Sequence, residues 1–350
     1  MELTELLRRA VAQGGADIFI IPGSGVTVKI QNDMIPLTEE RLQPAESEAL
    51  VRQMYDLARR DFQLLAREGD DDFSFAIPEV SRFRCNAYRQ RGSLAAICRI
   101  VNFELPDPES LQIPPLVMEL AKLRQGMVLV TGPAGSGKST TLACLIDRIN
   151  RERQAHIVTI EDPIEYLHRH KRSLVSQREI PNDAGSFSRA LRAALRQAPD
   201  VVMLGEMRDL DTIRTAITAA ETGHLLLSSL HTIGAAKTVD RVVDSFPAEQ
   251  QTQIRVQLSM VLKAVVSQRL VPTVDGGRIP VFEVMTVNPA IQTMIRDGRT
   301  HQIDNVIFGG NDRNMLSMDQ ELQKLVKGGR VSRETALLYA VNPETLAKRI

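Results

Sequence analysis

The pattern of apolar and polar positions divides the chain into two regions that favour different elements. In the first hundred residues, short alternating runs predict strands, and a longer run at about 46–68 predicts a helix. The predicted strands are Ala16–Ile21, Val26–Ile30, Asp72–Ile77, Arg82–Tyr88 and Leu94–Ile100. This combination predicts a small α+β domain over residues 1–100.

A proline-rich segment at residues 101–115 separates this domain from a longer region. The segment has four prolines and little periodicity, so we expect a linker. After it, apolar strands are predicted at Met127–Val130, His156–Ile160, Val201–Leu204 and Leu225–Ser229. Amphipathic helices between them indicate strand–helix–strand units, so residues 116–350 are predicted to form an α/β domain with a mostly parallel sheet.

From about Pro247 onward the pattern favours a helical C-terminal region. One face of the predicted helix contains the apolar residues Ile254, Leu258, Val261, Leu262 and Val265. A hairpin around Gly276 and Gly277 is the expected interruption of this region.

Composition then narrows the classes of function. The chain of 350 residues has 43 basic and 43 acidic side chains, and a net charge of 0 argues against binding nucleic acid through overall positive charge. Aromatic residues make up only 4%, so stacking surfaces for single strands are few. No nucleic-acid partner is expected.

The cysteines and the lack of long apolar runs indicate in which cellular compartment the protein is located. Cys85, Cys98 and Cys144 match neither a CxxC redox pair nor a zinc spacing, so we expect buried thiols in a reducing environment. No apolar run is long enough to span a membrane. The sequence therefore predicts a cytoplasmic protein without an export signal.

The segment GPAGSGKST at residues 132–140 fits the phosphate-binding pattern GxxxxGK[ST]. Glycines let backbone N–H groups wrap a phosphate, and the following helix offers its positive N-terminus. Lys138 would neutralise the β- and γ-phosphates, and Ser139 would hold Mg²⁺. The predicted nucleotide-binding residues are Gly132, Pro133, Ala134, Gly135, Ser136, Gly137, Lys138, Ser139, Thr140 and Thr141.

Two further strands end in carboxylates. The strand in DVVMLGEMRD is followed by Glu206, which can reach the Mg²⁺ shell or orient the attacking water if it lies beside the phosphate-binding loop. The strand before TIEDPIEY leads to Glu161, Asp162 and Glu165, which are candidates for a general base. A core strand with a surface carboxylate and a solvated acidic loop are the alternative interpretations.

Two histidines flank one predicted strand. His224 precedes the strand and His231 follows it. A histidine at a strand end can sense a γ-phosphate by hydrogen bonding, whereas a structural histidine is the alternative. Zinc is not expected, because no third ligand has suitable spacing.

Taken in order, these motifs resemble the secretion ATPase superfamily, and most closely its PilT-type retraction ATPases of type IV pili. GPAGSGKSTT resembles the Walker A motif, TIEDPIE the Asp box, LGEMRDLDTIRTAITAAETGH the Walker B region, and LHTIGAAKTVDRVVDSFP the His box. DDFSFAIPEVSRFRCNAYRQRG resembles the PAS-like amino-terminal domain of the family. The resemblance covers nearly the whole chain.

This resemblance implies a RecA-like P-loop domain and a ring of six subunits. ATP with Mg²⁺ would lie between the amino-terminal domain of one protomer and the P-loop domain of its neighbour. Arg82, Arg84 and Arg99 would then meet phosphates or the adjoining subunit, although a solvated sheet face is the alternative. The family's water-polarising glutamate corresponds to Glu165, with Glu161 as the second candidate, and Glu206 would support Mg²⁺.

The implied function is a cytoplasmic ATPase motor that drives pilus retraction through an inner-membrane platform protein. Two positions depart from the family pattern. Gln292, in AIQTMIRD at residues 290–297, stands where many members have arginine, and Phe19 stands where relatives usually have histidine. A slow, nucleotide-dependent regulatory protein at the pilus base and a DNA-translocating relative are the alternative functions.

Overall fold

The computed structural model describes residues 2–31, 33–101, 105–309 and 314–350. The chain divides into two compact units, one of Met1–Glu104 with Glu165–Leu167 and one of Leu105–Ile164 with His168–Ile350. Residues 102–104 of the predicted linker lie outside the described residues. Within the described ranges, every helix is too short or too polar to span a lipid bilayer.

The first unit is an antiparallel sheet of six strands with helices. Its order is β3-β2-β1-β6-β5-β4. Along the chain its elements are α1 (Leu3–Ala12), β1 (Asp17–Ile20), β2 (Thr27–Ile30), β3 (Asp33–Pro36), α2 (Pro44–Ala58), α3 (Gln63–Glu68), β4 (Asp70–Ile77), β5 (Ser81–Gln90) and β6 (Ser93–Val101).

All five predicted strands of this unit are confirmed, and the predicted helix at 46–68 is partly wrong. It is two helices, because the backbone at Arg59 turns into the left-handed region with φ of 50° and ends α2. The edge strand β3 was not predicted. All four of its residues are exposed, so it lacks the alternation that identifies a half-buried strand.

The two faces of β5 differ as the sequence predicts. Phe83, Cys85 and Ala87 are fully buried in the core of the first unit. Arg82 and Arg84 alternate with them and point to the other face, because successive side chains of a strand face opposite sides. All three cysteines of the chain are buried and free of disulfides, which confirms the predicted thiols.

A buried ionic contact fixes α2 to β4 in the first unit. Arg60 donates to both carboxylate oxygens of Asp71 at 2.7 Å, and the Tyr55 hydroxyl donates to Asp71 Oδ2 at 2.9 Å. Burial, reinforced by the bond to Asp71, raises the pKa of Tyr55 well above its usual value. The Asp71 carboxylate therefore has partners for both of its oxygens.

The second unit contains a sheet of seven strands in the order β13-β12-β7-β11-β10-β8-β9. Its strands are β7 (Gly126–Thr131), β8 (His156–Glu161), β9 (Leu174–Glu179), β10 (Val201–Leu204), β11 (Leu225–Leu230), β12 (Leu262–Pro272) and β13 (Arg278–Thr286). Its helices are α4 (Pro115–Glu119), α5 (Lys138–Glu152), α6 (Phe187–Ala194), α7 (Leu210–Glu221), α8 (Ala235–Asp244), α9 (Ala248–Val261), α10 (Pro289–Arg296), α11 (Ile303–Phe308), α12 (Met318–Lys327), α13 (Arg333–Tyr339) and α14 (Pro343–Ala347).

The sheet of the second unit is parallel except for β13. β7 pairs in parallel with β11 on one side and β12 on the other, and β13 pairs antiparallel with β12. Apolar clusters cover both faces, one with α6 to α11 and one with α4 and α5. This architecture confirms the predicted α/β domain with a mostly parallel sheet.

The prediction for residues after Pro247 is partly wrong. The helix α9 ends at Val261, and Leu262 and Val265 lie on β12 instead. The pairing with β7 contains an irregularity, since Leu262 pairs with Met127 and Ala264 with Val128, which leaves Lys263 as an extra residue. Because of this bulge, Leu262 and Val265 contact the same apolar cluster, as they would in a helix.

One further prediction for this unit is confirmed, and one of its strands was missed. The hairpin around Gly276 and Gly277 is confirmed, since it joins β12 to β13. The edge strand β9 was not predicted. Its first residue, Leu174, is 63% exposed, and its remaining sequence is mostly polar.

The β12–β13 hairpin holds the start of α8. Ser267 and Glu283 are cross-strand partners. The Gly234 amide donates to Ser267 Oγ at 3.0 Å, and the Ala235 amide donates to Glu283 Oε1 at 2.9 Å. Glu283 is 3% exposed, and burial raises its pKa to about 7. The first turn of α8 is thus satisfied by a buried carboxylate that resists ionisation.

This carboxylate makes stability depend on pH. A carboxyl group whose pKa is raised in the folded state contributes stability below its ordinary pKa, and that stability is lost as pH rises through about 7. Glu283→Gln keeps an oxygen for the Ala235 amide and removes the charge. We expect its free energy of unfolding to fall less than that of the wild type between pH 5 and 8.5, by a difference on the order of 3 kcal/mol.

Thermal unfolding at both pH values measures the difference. Glu249→Gln, at an exposed position on α9, is the control and should keep the wild-type dependence. Equal pH dependence in Glu283→Gln and the wild type would show that Glu283 is ionised at no cost.

Candidate nucleotide-binding site

The glycine-rich loop joins β7 to α5 at the carboxyl edge of the sheet. Gly132, Gly135 and Gly137 have φ values of 149°, 73° and 88°, a region that residues with a Cβ rarely adopt. The loop passes directly into the 15-residue helix α5, whose N-cap is Gly137. The first-turn N–H groups and the helix N-terminus therefore form a site for an anion.

Three side chains of the loop have distinct environments. Lys138 is only 7% exposed, and its Nζ donates to the Pro133 carbonyl at 2.9 Å. Ser136 is buried, and its Oγ has no hydrogen-bond partner among the described residues. Ser139 is exposed in the first turn of α5. The loop thus contains a buried cation, a buried hydroxyl and an accessible hydroxyl.

Glu206 follows the end of β10, at the same edge of the sheet. The turn before it is held by Gly205, whose amide donates to the Ile160 carbonyl at 2.8 Å and whose carbonyl accepts from Ser229 Oγ at 2.6 Å. The Glu206 side chain is 12% exposed and forms an ion pair with Arg208 through Oε1. Its Oε2 is buried without a hydrogen bond within the described part of the chain.

The two candidate bases of the Asp box have different environments. Glu161 is the last residue of β8 and is 7% exposed; it accepts from Thr159 Oγ1 at 2.6 Å and from Gln177 Nε2 at 3.2 Å. Glu165 is exposed and belongs to the segment Glu165–Leu167 that groups with the first unit. Glu161 is therefore built into the sheet edge, whereas the role of Glu165 stays a prediction.

The structure brings one of the two histidines to Glu206. His231 follows β11, and its Nε2 lies 3.4 Å from Glu206 Oε2. His224 precedes β11, so it lies at the opposite edge, about 20 Å away at the usual rise of a strand. There its Nδ1 lies 3.0 Å from the Ala219 carbonyl oxygen. His224 therefore lies away from the loop of its own chain, and its role as a γ-phosphate sensor stays a prediction.

The three predicted arginines share the face of β5 and β6 that lies opposite the core of the first unit. Arg84 is the cross-strand partner of Arg99 and is exposed. Arg99 pairs with Asp17 at 2.8 Å, and Arg82 donates to Ser74 Oγ at 2.8 Å. The contacts with Asp17 and Ser74 were not predicted. A role of these arginines at a nucleotide stays a prediction.

Comparison with known proteins places the chain in a family. The family model described as "Type II/IV secretion system protein" matches residues 109–336. The chain is 43% identical to the type IV pilus retraction ATPase PilT of Pseudomonas aeruginosa over 345 residues, which are 98% of this chain and 99% of that protein. It is also 43% identical to a twitching motility protein of Neisseria gonorrhoeae over 347 residues, which are 99% of this chain and 92% of that protein.

A solved structure agrees with these relatives. The crystal structure of the pilus retraction motor PilT with bound ADP covers 99% of both chains at a TM-score of 0.89 and 42% identity. The predicted resemblance is thus confirmed over nearly the full length. The chain belongs to the type II/IV secretion system protein family and, within it, to the PilT-type pilus retraction ATPases.

Proposed function

We propose that this protein is an ATPase motor that powers the retraction of type IV pili. The observation that carries the proposal is the glycine-rich loop between β7 and α5, with Glu206 at the same sheet edge, in a chain that matches retraction ATPases along its whole length. The buried Lys138 and the N-terminus of α5 supply positive charge where the phosphates of ATP would bind.

Two oxygen donors at this edge fit a magnesium ion. Ser139 offers an exposed hydroxyl, and Glu206 offers Oε2, which has no hydrogen bond among the described residues. Magnesium prefers such hard oxygen ligands and keeps several waters. When bound, it would offset the negative charge that the β- and γ-phosphates carry. No cluster of three or more metal-ligating side chains occurs within the described ranges, so phosphate oxygens and water would complete the coordination.

Hydrolysis requires a base or a polarising group for the attacking water. We assign this role to Glu165, with Glu161 as the alternative, as the family resemblance implies. Glu161 already accepts hydrogen bonds from Thr159 and Gln177, and these contacts occupy its carboxylate. The exposed Glu165 keeps its oxygens accessible to water.

The motor would work as a ring of six subunits on the cytoplasmic side of the inner membrane. ATP would bind between the first unit of one protomer and the second unit of the next, where Arg84 and Arg99 would meet the phosphates. The exposure of Arg84 leaves it available for such a contact. The ring would deliver its work to an inner-membrane platform protein.

A second candidate function is a slow ATPase that regulates the pilus base. The observation that favours it is Gln292 on α10, at the position where many family members have arginine. Steady-state hydrolysis by the purified protein separates the two: turnover near or above about one per second, the lower end of common enzyme rates, would favour the motor.

The first prediction concerns the loop lysine. Lys138→Ala removes the buried cation of the loop, so we expect turnover to fall by about 10²-fold or more and ADP binding to weaken. Fluorescent ADP titration and steady-state ATPase assays measure the two effects. Lys327→Ala, at an exposed position on α12, is the matched control and should behave as wild type. Retained turnover in Lys138→Ala would remove the loop from the mechanism.

A second prediction distinguishes the two candidate bases. Glu165→Gln keeps the shape of the side chain but cannot accept a proton, so turnover should fall by about 10²–10⁴-fold while ATP still binds. Glu161→Gln should lose less turnover, because that carboxylate is already engaged by Thr159 and Gln177. Single-turnover hydrolysis with pre-bound ATP measures both variants. The reverse order of the two losses would assign the role to Glu161.

A third prediction tests whether the site is shared between subunits. The double variant Arg84→Ala and Arg99→Ala should lose turnover by about 10³-fold if its arginines act on a neighbour's ATP. Mixing this variant with inactive Lys138→Ala subunits should restore measurable activity, because some interfaces then combine an intact loop with intact arginines. Arg89→Ala, at an exposed position on the same strand, is the control. No restoration on mixing would contradict a shared site.

A further inference from the structure

A buried glutamine on β12 is built against the phosphate-binding loop. Gln268 follows Ser267, which pairs with Thr131 at the end of β7, so Gln268 is level with the start of the loop. The residue is only 4% exposed. A polar side chain with so little access to water depends on partners in the protein or in a ligand.

Gln268 lies against both fixed glycines of the GxxxxGK pattern. A Cβ at Gly132 would overlap the Gln268 carbonyl oxygen, and a Cβ at Gly137 would lie 2.9 Å from Gln268 Nε2. Real Cβ atoms do not approach other atoms that closely. Gly132 is therefore required by the backbone of the neighbouring strand as well as by its own backbone angle, whereas a Cβ at Gly137 would displace the Gln268 side chain.

The two ends of the Gln268 amide have different environments. Its Oε1 accepts from Thr141 Oγ1 at 2.8 Å, and Thr141 lies fully buried in the first turn of α5. With the acceptor end engaged, Nε2 is directed toward Gly137. An amide nitrogen carries two N–H groups, so Nε2 places hydrogen-bond donors beside the loop at Gly137.

We infer that Gln268 is a positioning residue of the nucleotide site. Its side chain holds the turn at Gly137 and the first turn of α5 at Thr141 in one geometry, and its Nε2 adds donors to the side of an anion site. The inference rests on the proposed nucleotide-binding function. It assigns to β12 a part of the site that lies outside the recognised motifs.

The test compares three variants for ADP affinity and ATPase kinetics. Gln268→Ala removes the contacts with Gly137 and Thr141, so we expect the Kd for ADP and the KM for ATP to rise about tenfold, with a smaller change in kcat. Thr141→Val removes the same hydrogen bond from the other side with little change of shape. The double variant should lose no more than the larger single loss, because the two residues act through one contact.

A charge-changing variant separates positioning from simple packing. Gln268→Glu keeps an acceptor for Thr141 and the size of the side chain, but it puts a carboxylate oxygen where Nε2 lies. Its ADP affinity should fall below that of Gln268→Ala, because the added negative charge faces the phosphate site. If Gln268 only fills space, Gln268→Glu, which keeps the size of the side chain, should bind ADP more tightly than Gln268→Ala.

The controls separate this inference from the proposed function. Val271→Ala also truncates a fully buried side chain on β12, in the cluster with the C-terminal helices, and it should lower the unfolding midpoint while ADP affinity stays within about twofold. If the wild type binds ADP and Lys138→Ala does not, the nucleotide site stands. ADP affinity like that of the wild type in the Gln268 and Thr141 variants would then overturn the inference alone.

Discussion

The candidate site depends on the parallel pairing of β7 with a strand on each side. Because β11 and β12 run in the same direction as β7, and β10 and β8 continue that direction, all these strands end at one edge of the sheet. Parallel sheets bind ligands at this edge. The pairing thus brings the loop after β7, Glu161 and Glu206 to one edge, although they are far apart in sequence.

The sequence identified the parts of the site that are continuous motifs. The glycine pattern at 132–140, the strand before Glu206 and the histidine after β11 are where they were expected, because short motifs fix their own strand–loop geometry. Gln268 was missed, since β12 itself was mistaken for helix. A strand normally places residues three apart on opposite faces, but the bulge at Lys263 puts Leu262 and Val265 on one face, which imitates a helical spacing.

Contacts between distant parts of the chain could not be predicted from local sequence patterns. The alternation along β5 predicted which face Arg82 and Arg84 occupy, but not that Arg99 pairs with Asp17 across 82 residues. The edge strands β3 and β9 were missed because exposed strands have no buried face to reveal their period. The roles of Glu165 and the arginines stay predictions, which rest on the family resemblance and not on any spacing in the sequence.

The single extra residue at Lys263 has a consequence for both loops that β12 contacts. Ser267 holds the loop after His231 through Gly234, and Gln268 contacts the loop after β7 from the opposite face. Which of the two faces each side chain occupies depends on an odd or even count of residues from the start of the strand. The bulge therefore determines which face of β12 each later side chain occupies. Without the extra residue, Ser267 and Gln268 would exchange faces, and each would point to the wrong loop.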